Sequence, residues 1–538
     1  MSYSLRAAPA FGLPAEGISR SEREAVYEQM LSEMQERSSH FLGYQVNQKL
    51  EASPELFSFL QMHLNNAGDP FTRGSMTMNT KKMEEAVLDY FAELWHAKTP
   101  HDPTDGESYW GYTLSMGSTE GNVYGIWNAR DYLAGKTLLS DTHAESRAEA
   151  ASREGRPARV EDGMNYEQAE AAPQSPHAYQ PVAFFSQDTH YSIVKAMRVL
   201  AFDTFSEVGS RNYPCPLRFP EDYPAGYSSQ YIDESGWPKE VPSEEDGSVH
   251  LPSLVKLVRF FVEKGYPIFV CFNYGTTFKG AYDRVEEAVE ELVPVLKENG
   301  MYERDVEYER DGRLYSTRRN GFWFHVDGAL GAAYMPFVEQ AMERGEMEGQ
   351  PFPRFDFRIP DVHSIVMSGH KWLGSPFPGG VFMTKTKFQL LPPDDPMYIG
   401  SPDTTFAGSR NSFSAMYLWD HLAQTPHHEQ RKKAVRAEAV ASFAENALRE
   451  VAAELELDLW VERTPLSLTI RFRRPSAEVV EKYSLSCESL YVNGERRDYV
   501  HLFAMEHVTE ETLYALAADL LAEGAYAEAA ETGNKPGE

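Results

Sequence analysis

Five short runs rich in β-branched and aromatic residues, PVAFFSQ, PIFVCFNYGTT, FWFHVDGAL, SIVMSGHK and GGVFMTK, recur between about residues 110 and 412. Amphipathic stretches such as DRVEEAVEELVPVLKENG separate them. Strands of one sheet that run parallel need long crossovers, and helices supply these, so strand alternating with helix predicts a doubly wound α/β domain with a mainly parallel sheet. Two segments interrupt the alternation: residues 140–178, rich in Ala, Glu and Arg, and residues 206–250, rich in Pro, Gly, Tyr and acids. Both read as surface insertions.

The flanks have a different pattern. In SEREAVYEQMLSEMQERSSHFL and KKMEEAVLDYFAELW apolar residues recur at three- and four-residue steps, which predicts packing or dimerising helices in an N-terminal segment, residues 1–95. The large domain then spans 96–412. Residues 413–538 are again helix-rich, with a strand-like LSLTIRF and a closing helix EETLYALAADLLAEGAYAEAAE, which predicts a smaller α+β domain ending in a frayed GNKPGE.

Composition excludes several classes of function. With 51 Lys and Arg against 81 Asp and Glu, a net charge of −30, the chain is unsuited to nucleic acid or anionic membranes. It contains neither a membrane-length apolar stretch nor a signal-peptide layout, so a cytoplasmic location is expected. Cys215, Cys271 and Cys487 are widely spaced and expected to be free thiols. His427-His428-Glu429 and the pair His501 and His507 lack ligand spacing and a third partner, so no metal is expected and these read as solvated surface.

Three segments carry candidate chemistry. Ser115-Met-Gly-Ser-Thr-Glu-Gly-Asn122 precedes an apparent helix, and glycines, hydroxyls and a helix N-terminus together suit a phosphate; the same residues also mark ordinary strand-to-helix turns. His325-Val-Asp327-Gly-Ala-Leu330 ends an apolar run, where an acid is either a helix cap or a buried carboxylate with a cationic partner. Ser368-Gly-His-Lys371-Trp-Leu-Gly-Ser375 places a lysine straight after another apolar strand, flanked by Gly, His and Ser. That placement is better explained by a covalent anchor for an aldehyde cofactor than by solubility.

STEGN, DTHYS, GTTxxGAxD, HVDGALG, SGHKWLGSP and GSRN occur in an order that resembles the pyridoxal-phosphate-dependent group II amino-acid decarboxylases, with the histidine and serine decarboxylase branch most alike. The likeness covers roughly residues 60–420. It implies fold type I, the aspartate-aminotransferase-like architecture, a homodimer with sites at the subunit interface, and pyridoxal 5'-phosphate as cofactor. It also implies roles. Lys371 would hold the cofactor, Asp327 would pair with the pyridinium nitrogen, His190 would stack on the ring, and Ala329 would pack on the opposite face. Gly117, Ser118, Thr119, Ser368 and His370 would form the phosphate cradle, and Ser409 would reach the phosphate of the other subunit. Thr276 and Thr277 resemble residues near the ring, although a threonine there also finishes a strand. Tyr398, in a Pro- and Asp-rich loop, would protonate the substrate carbon after CO₂ leaves, where aldehyde-forming relatives tend to have Phe; an aromatic that merely closes the loop is the other reading. Asn65, Asn66, Asp69 and Phe71, in LNNAGDPF, would border the substrate pocket. Two motifs depart from the usual pattern: Met116-Gly117-Ser118 stands where a small or polar residue and Gly-Gly are commoner, and Asp327-Gly-Ala329 stands for Asp-Ala-Ala.

The expected reaction is decarboxylation of an L-amino acid to the primary amine and CO₂. The substrate is expected to be neutral, histidine or a branched aliphatic such as valine or leucine. The alternatives are aldehyde-forming decarboxylation-deamination, transamination, or a catalytically silent relative that acts as a scaffold.

Overall fold

The computed structural model describes residues 11–139, 168–310, 313–348, 351–392 and 396–526. Its strands are β1 (Tyr109–Leu114), β2 (Val182–Phe185), β3 (Ile268–Asn273), β4 (Arg304–Arg310), β5 (Arg313–Arg319), β6 (Phe322–Asp327), β7 (Val362–Ser368), β8 (Gly380–Lys385), β9 (Thr469–Arg473), β10 (Ser486–Val492) and β11 (Glu495–Phe503). The large sheet has the order β1-β8-β7-β6-β3-β2. β2, β3, β6 and β7 pair in parallel, whereas β8 is antiparallel to both its neighbours. Five strands therefore point one way and β8 alone is reversed. VAFF, IFVCFN, FWFHVD and VHSIVMS are buried at every position, because helices cover both faces of the sheet and no strand has a wet side.

The helices that matter below are α1 (Arg20–Ser38), α2 (Lys81–Leu94), α3 (Ser118–Leu133), α4 (Tyr191–Leu200) and α5 (Phe205–Asn212). α3 is buried nearly all round and packs across β6, β7 and β8, so its N-terminus is delivered to the carboxyl ends of the parallel strands. The three-stranded sheet, β10-β11-β9, is antiparallel and packs with a 28-residue helix, His427–Glu454, and a closing helix, Glu510–Leu521. The strand expected in LSLTIRF is β9. The β4–β5 hairpin, a two-stranded sheet of its own, is the element the sequence reading did not separate.

The two expected insertions differ. Residues 140–167 of the first, like the terminal GNKPGE, lie outside the described residues. The second is more than surface: Trp237 is fully buried against Phe205, Phe260 and Phe261, and Leu217, Tyr223 and Val241 join the core. Aromatic residues in a Pro- and Gly-rich stretch pack here without regular secondary structure, so periodicity could not find them.

One further segment positions the site. Residues 42–48 run as a strap between the end of β11 and the segment that follows β7. Leu42 N–H donates to Tyr483 O and Leu42 O accepts from Phe503 N–H, while Asn47 N–H donates to Lys371 O and Gln48 N–H to His507 Nδ1. Gly43 lies so close to the backbone of Ser484 that a Cβ there would come within 2.1 Å of the Ser484 carbonyl oxygen.

Candidate active site

β6 and β7 end side by side, with Asp327 opposite Val366 in the parallel ladder, and Lys371 follows three residues after Ser368 closes β7. The carboxyl edge of a parallel sheet is where α/β folds place ligands, because loops diverge there and helix N-termini converge.

Lys371 Nζ donates to Gln45 Oε1 at 2.7 Å. Desolvation pushes its amine down from 10.5 to about 8, and the negative charge of Asp327 partly opposes that fall. Near physiological pH the neutral amine, the form that attacks a carbonyl, is therefore a minor fraction of this lysine but a far larger one than in a free lysine. Asp327 is buried. Its Oδ1 accepts the Ala329 N–H at 3.2 Å and its Oδ2 accepts Asn122 Nδ2 at 2.9 Å. Among the described residues no cationic side chain lies within ion-pair distance of it, so a cation supplied by a ligand suits this carboxylate.

His190 caps α4, and its Nδ1 accepts the Ser192 N–H at 3.3 Å and lies 2.8 Å from Ser192 Oγ. Burial lowers its pKa, Asp327 raises it, and Lys371 and Lys195 lower it, so the ring lies within electrostatic reach of both central residues. The loop that carries it is tied to the end of β3: Asn273 Nδ2 donates to Ser186 Oγ and Thr189 Oγ1, each at 2.9 Å. Asp283 in turn accepts the N–H groups of Asn273 and Val249, and burial pushes its carboxyl up to about 7.

The residues expected to cradle a phosphate also converge. Ser118 N–H, at the start of α3, donates to Ser368 Oγ at 3.0 Å. Gly117 has φ +70°, and a Cβ there would lie 2.7 Å from His370 Cε1, so only glycine leaves this corner open. Thr119 is half-buried one residue further along the same turn. His370 Nδ1 is buried without a partner, and desolvation, helped by Lys371, pushes the ring down to about 4.

The remaining candidates lie elsewhere or are already engaged. Thr276 is buried and its hydroxyl accepts the Ala281 N–H at 2.9 Å, which closes the 276–281 turn. Asn66 is buried between Glu84, Thr80 and Ser412. Asp69 accepts from Trp110 Nε1, Thr404 Oγ1 and its own loop, and Phe71 stacks on His101 at 3.8 Å. Asn66 and Asp69 brace the chain around 401–412 with their own subunit's atoms. Asn65 Nδ2 donates to exposed Ser409 Oγ at 3.0 Å, and the neighbouring Asn411 N–H donates to Ser115 Oγ, so the GSRN segment sits beside the cradle loop. Buried Arg410 anchors it through an ion pair with Glu84. Tyr398 is not brought to Lys371 within one chain: it is 83% exposed, beside a 93% exposed Met397.

Two expectations about histidines are corrected. His501 is buried rather than solvated, with Nδ1 3.0 Å from Phe278 O and Nε2 3.2 Å from Gly43 O, to one of which a neutral ring donates, and His507 bonds to Phe41 O and the strap. His427 and His428 are exposed as expected. Cys215, Cys271 and Cys487 are unpaired, and no cluster of metal-ligating side chains occurs among the described residues. Gln45 and Asn122 are the site residues the sequence reading missed. Asn122 is the last residue of the quoted STEGN motif, but nothing local to Gln45 marks it.

Residues 236–417 match the family model described as the pyridoxal-dependent decarboxylase conserved domain. The crystal structure of L-methionine decarboxylase from Streptomyces sp. 590 superposes with a TM-score of 0.84 at 42% identity, over 95% of this chain and 96% of that one. Histidine decarboxylase of Solanum lycopersicum is 26% identical over 506 residues, 94% of this chain and 90% of the relative. Serine decarboxylase 2 of Oryza sativa subsp. japonica is 26% identical over 516 residues, 94% of this chain and 80% of the relative.

Proposed function

Because the chain belongs to the pyridoxal-dependent amino-acid decarboxylases, we propose that its substrate is an L-amino acid with an uncharged side chain, L-methionine foremost. The protein is a carboxy-lyase of fold type I, and its cofactor is pyridoxal 5'-phosphate. Its residues fit that group. An orphaned His370 Nδ1, a glycine corner and a helix N-terminus suit the phosphate, a partly neutral lysine suits the aldehyde, and an unpaired buried carboxylate suits the ring nitrogen. When bound, the cofactor supplies a sink for the electrons left at Cα as CO₂ departs.

In this reading each residue acts on a stated atom. Lys371 presents a neutral amine, which Gln45 orients. Asp327 would favour a proton on the ring nitrogen, and His190 and Ala329 would hold the ring between them. Gly117, Ser118, Thr119, Ser368 and His370 hold the phosphate, and Thr276 shapes the neighbouring turn. Tyr398, contributed by a second copy, delivers a proton to Cα, which favours amine over aldehyde as product; Ser409 and the segment Asn65, Asn66, Asp69 and Phe71 lie where that copy would complete the pocket.

The substrate assignment is carried by the 42% identity to the methionine enzyme, against 26% to the histidine and serine enzymes. Histidine is the second reading, supported by the shared ordered motifs. A CO₂-release screen over all twenty amino acids with added cofactor tests both. Methionine should rank first, with 3-methylthiopropylamine as product, and release from histidine alone would transfer the assignment.

The proposed assembly is a homodimer. α1 buries no residue, yet Tyr27, Met30, Leu31 and Met34 form an exposed apolar stripe along it. Phe57, Leu60 and Met62 are also exposed nearby in the chain. Apolar stripes of this kind are covered in a stable protein, and a second copy is the cover proposed. Deleting residues 1–40 should convert a dimer into a monomer in sedimentation velocity; a full-length monomer would refute it. The proposed location is the cytoplasm, with which three unpaired cysteines accord.

A further inference from the structure

Asp327 stands at the end of an unbranched file of hydrogen bonds whose direction can be worked out from the other end. Trp323 Nε1 lies 3.0 Å from Ser364 Oγ. An indole N–H can only donate, so the serine oxygen accepts there, and of that hydroxyl's partners only His325 Nδ1, 2.8 Å away, can take its proton. A neutral imidazole that accepts at Nδ1 carries its proton on Nε2, and Nε2 lies 2.8 Å from Asn122 Oδ1. That fixes the amide: its nitrogen faces Asp327 Oδ2 at 2.9 Å.

The fold assembles this file by simple periodicity. Trp323, His325 and Asp327 alternate along β6 and so share one face of the strand. Ser364 is the register partner of His325 on β7, and Asn122 lies in the second turn of α3 above them. All five side chains are buried, the first four completely. The opposite direction is inconsistent. It would set Asn122 Oδ1 against the carboxylate and leave the Ser364 proton without an acceptor among that hydroxyl's partners.

We propose that Trp323, Ser364, His325 and Asn122 are positioning residues that hold Asp327 as an oriented, acceptor-only carboxylate, with the uncharged Asn122 as a spacer so that no protein cation competes with the cofactor's ring nitrogen for its charge. This deepens the family reading above and rests on it. Desolvation keeps His325 neutral, pushed down to about 4, so the file carries polarity without carrying charge. A histidine in direct contact with Asp327 would instead share its proton with the carboxylate and weaken the partner the ring nitrogen needs.

The test uses the full-length holoprotein, with pyridoxal 5'-phosphate as probe and L-methionine as substrate. In the unmutated protein, ¹⁵N-histidine spectra should show His325 protonated at Nε2 and bare at Nδ1. Asn122→Ala should weaken cofactor binding about tenfold or more and lower kcat about ten- to a hundredfold, the worth of one hydrogen bond to a buried charge, with KM within about twofold. Ser364→Ala, which cuts the file two links out, should lose the single-tautomer signature and lower kcat by about threefold to tenfold. His325 protonated at Nδ1 in the unmutated protein overturns the proposal, and that measurement stands even if neither variant folds. Cofactor affinity and kcat within twofold of the parent in Asn122→Ala also overturn it. If the parent binds cofactor but decarboxylates no amino acid, the family reading of the reaction fails, while the tautomer and the cofactor affinity still decide the file.

Discussion

Lys371 owes its reactivity to where it lies more than to what it is. Desolvation lowers its amine to about 8 and Asp327 holds it from falling further. The rate at which apoprotein captures pyridoxal 5'-phosphate at this lysine should therefore rise with pH to a midpoint near 8. Removing the negative charge in Asp327→Asn should move that midpoint lower, because the nearby anion that favours the protonated amine is lost; a midpoint at or above 10 would contradict the environment described. Tyr398→Phe should cut amine formation by about 10² to 10⁴, the usual range for general-acid help, while aldehyde rises in aerobic solution. Unchanged amine output would leave Tyr398 as a lid residue. Lys371 and Asp327 stood out in the sequence because each sits in a motif at or just after the end of a strand. Gln45 was not, since it lies in a stretch with neither periodicity nor motif, and only the folded strap brings it to Lys371 Nζ.

At the level of elements, the buried strands were readable because burial on both faces writes itself as an unbroken apolar run, and α3 because it opens on glycine and hydroxyls. The β4–β5 hairpin was not separable, because RDVEYER and RLYSTRR interleave charged residues with the few apolar ones and offer no apolar run of the kind the other strands show. Nor did the second insertion disclose that Trp237 anchors it. The strap around Gln45 depends on Gly43, where an added methyl would collide with backbone that cannot swing aside. Gly43→Ala should lower stability by about 1–3 kcal/mol, as overpacking does, and reduce kcat/KM by pushing Gln45 off Lys371. Thermal unfolding and steady-state kinetics check both, and a variant with parental values in each would show that the strap yields freely.

For the whole molecule, neutral histidines inside the core set an acid limit. Burial holds His325, His421 and His501 near 4 and His363 well below its ordinary value. Between pH 6.5 and 4 the unfolded chain binds these protons and the folded chain does not, so stability falls as pH falls. Each such histidine contributes a slope of about 1.4 kcal/mol per pH unit. Four acting together should unfold the protein cooperatively before pH 4, as read by circular dichroism; undiminished stability at pH 4 would contradict the burial described. The strap carries a different consequence, in the order of synthesis. Residues 42–48 leave the ribosome early, yet the groups that hold them belong to Lys371 and to Tyr483, Phe503 and His507. A nascent chain can display its lysine long before anything fastens Gln45 beside it, so translation must pass His507 before Lys371 acquires its partner, and a product terminated between the two carries the lysine without it.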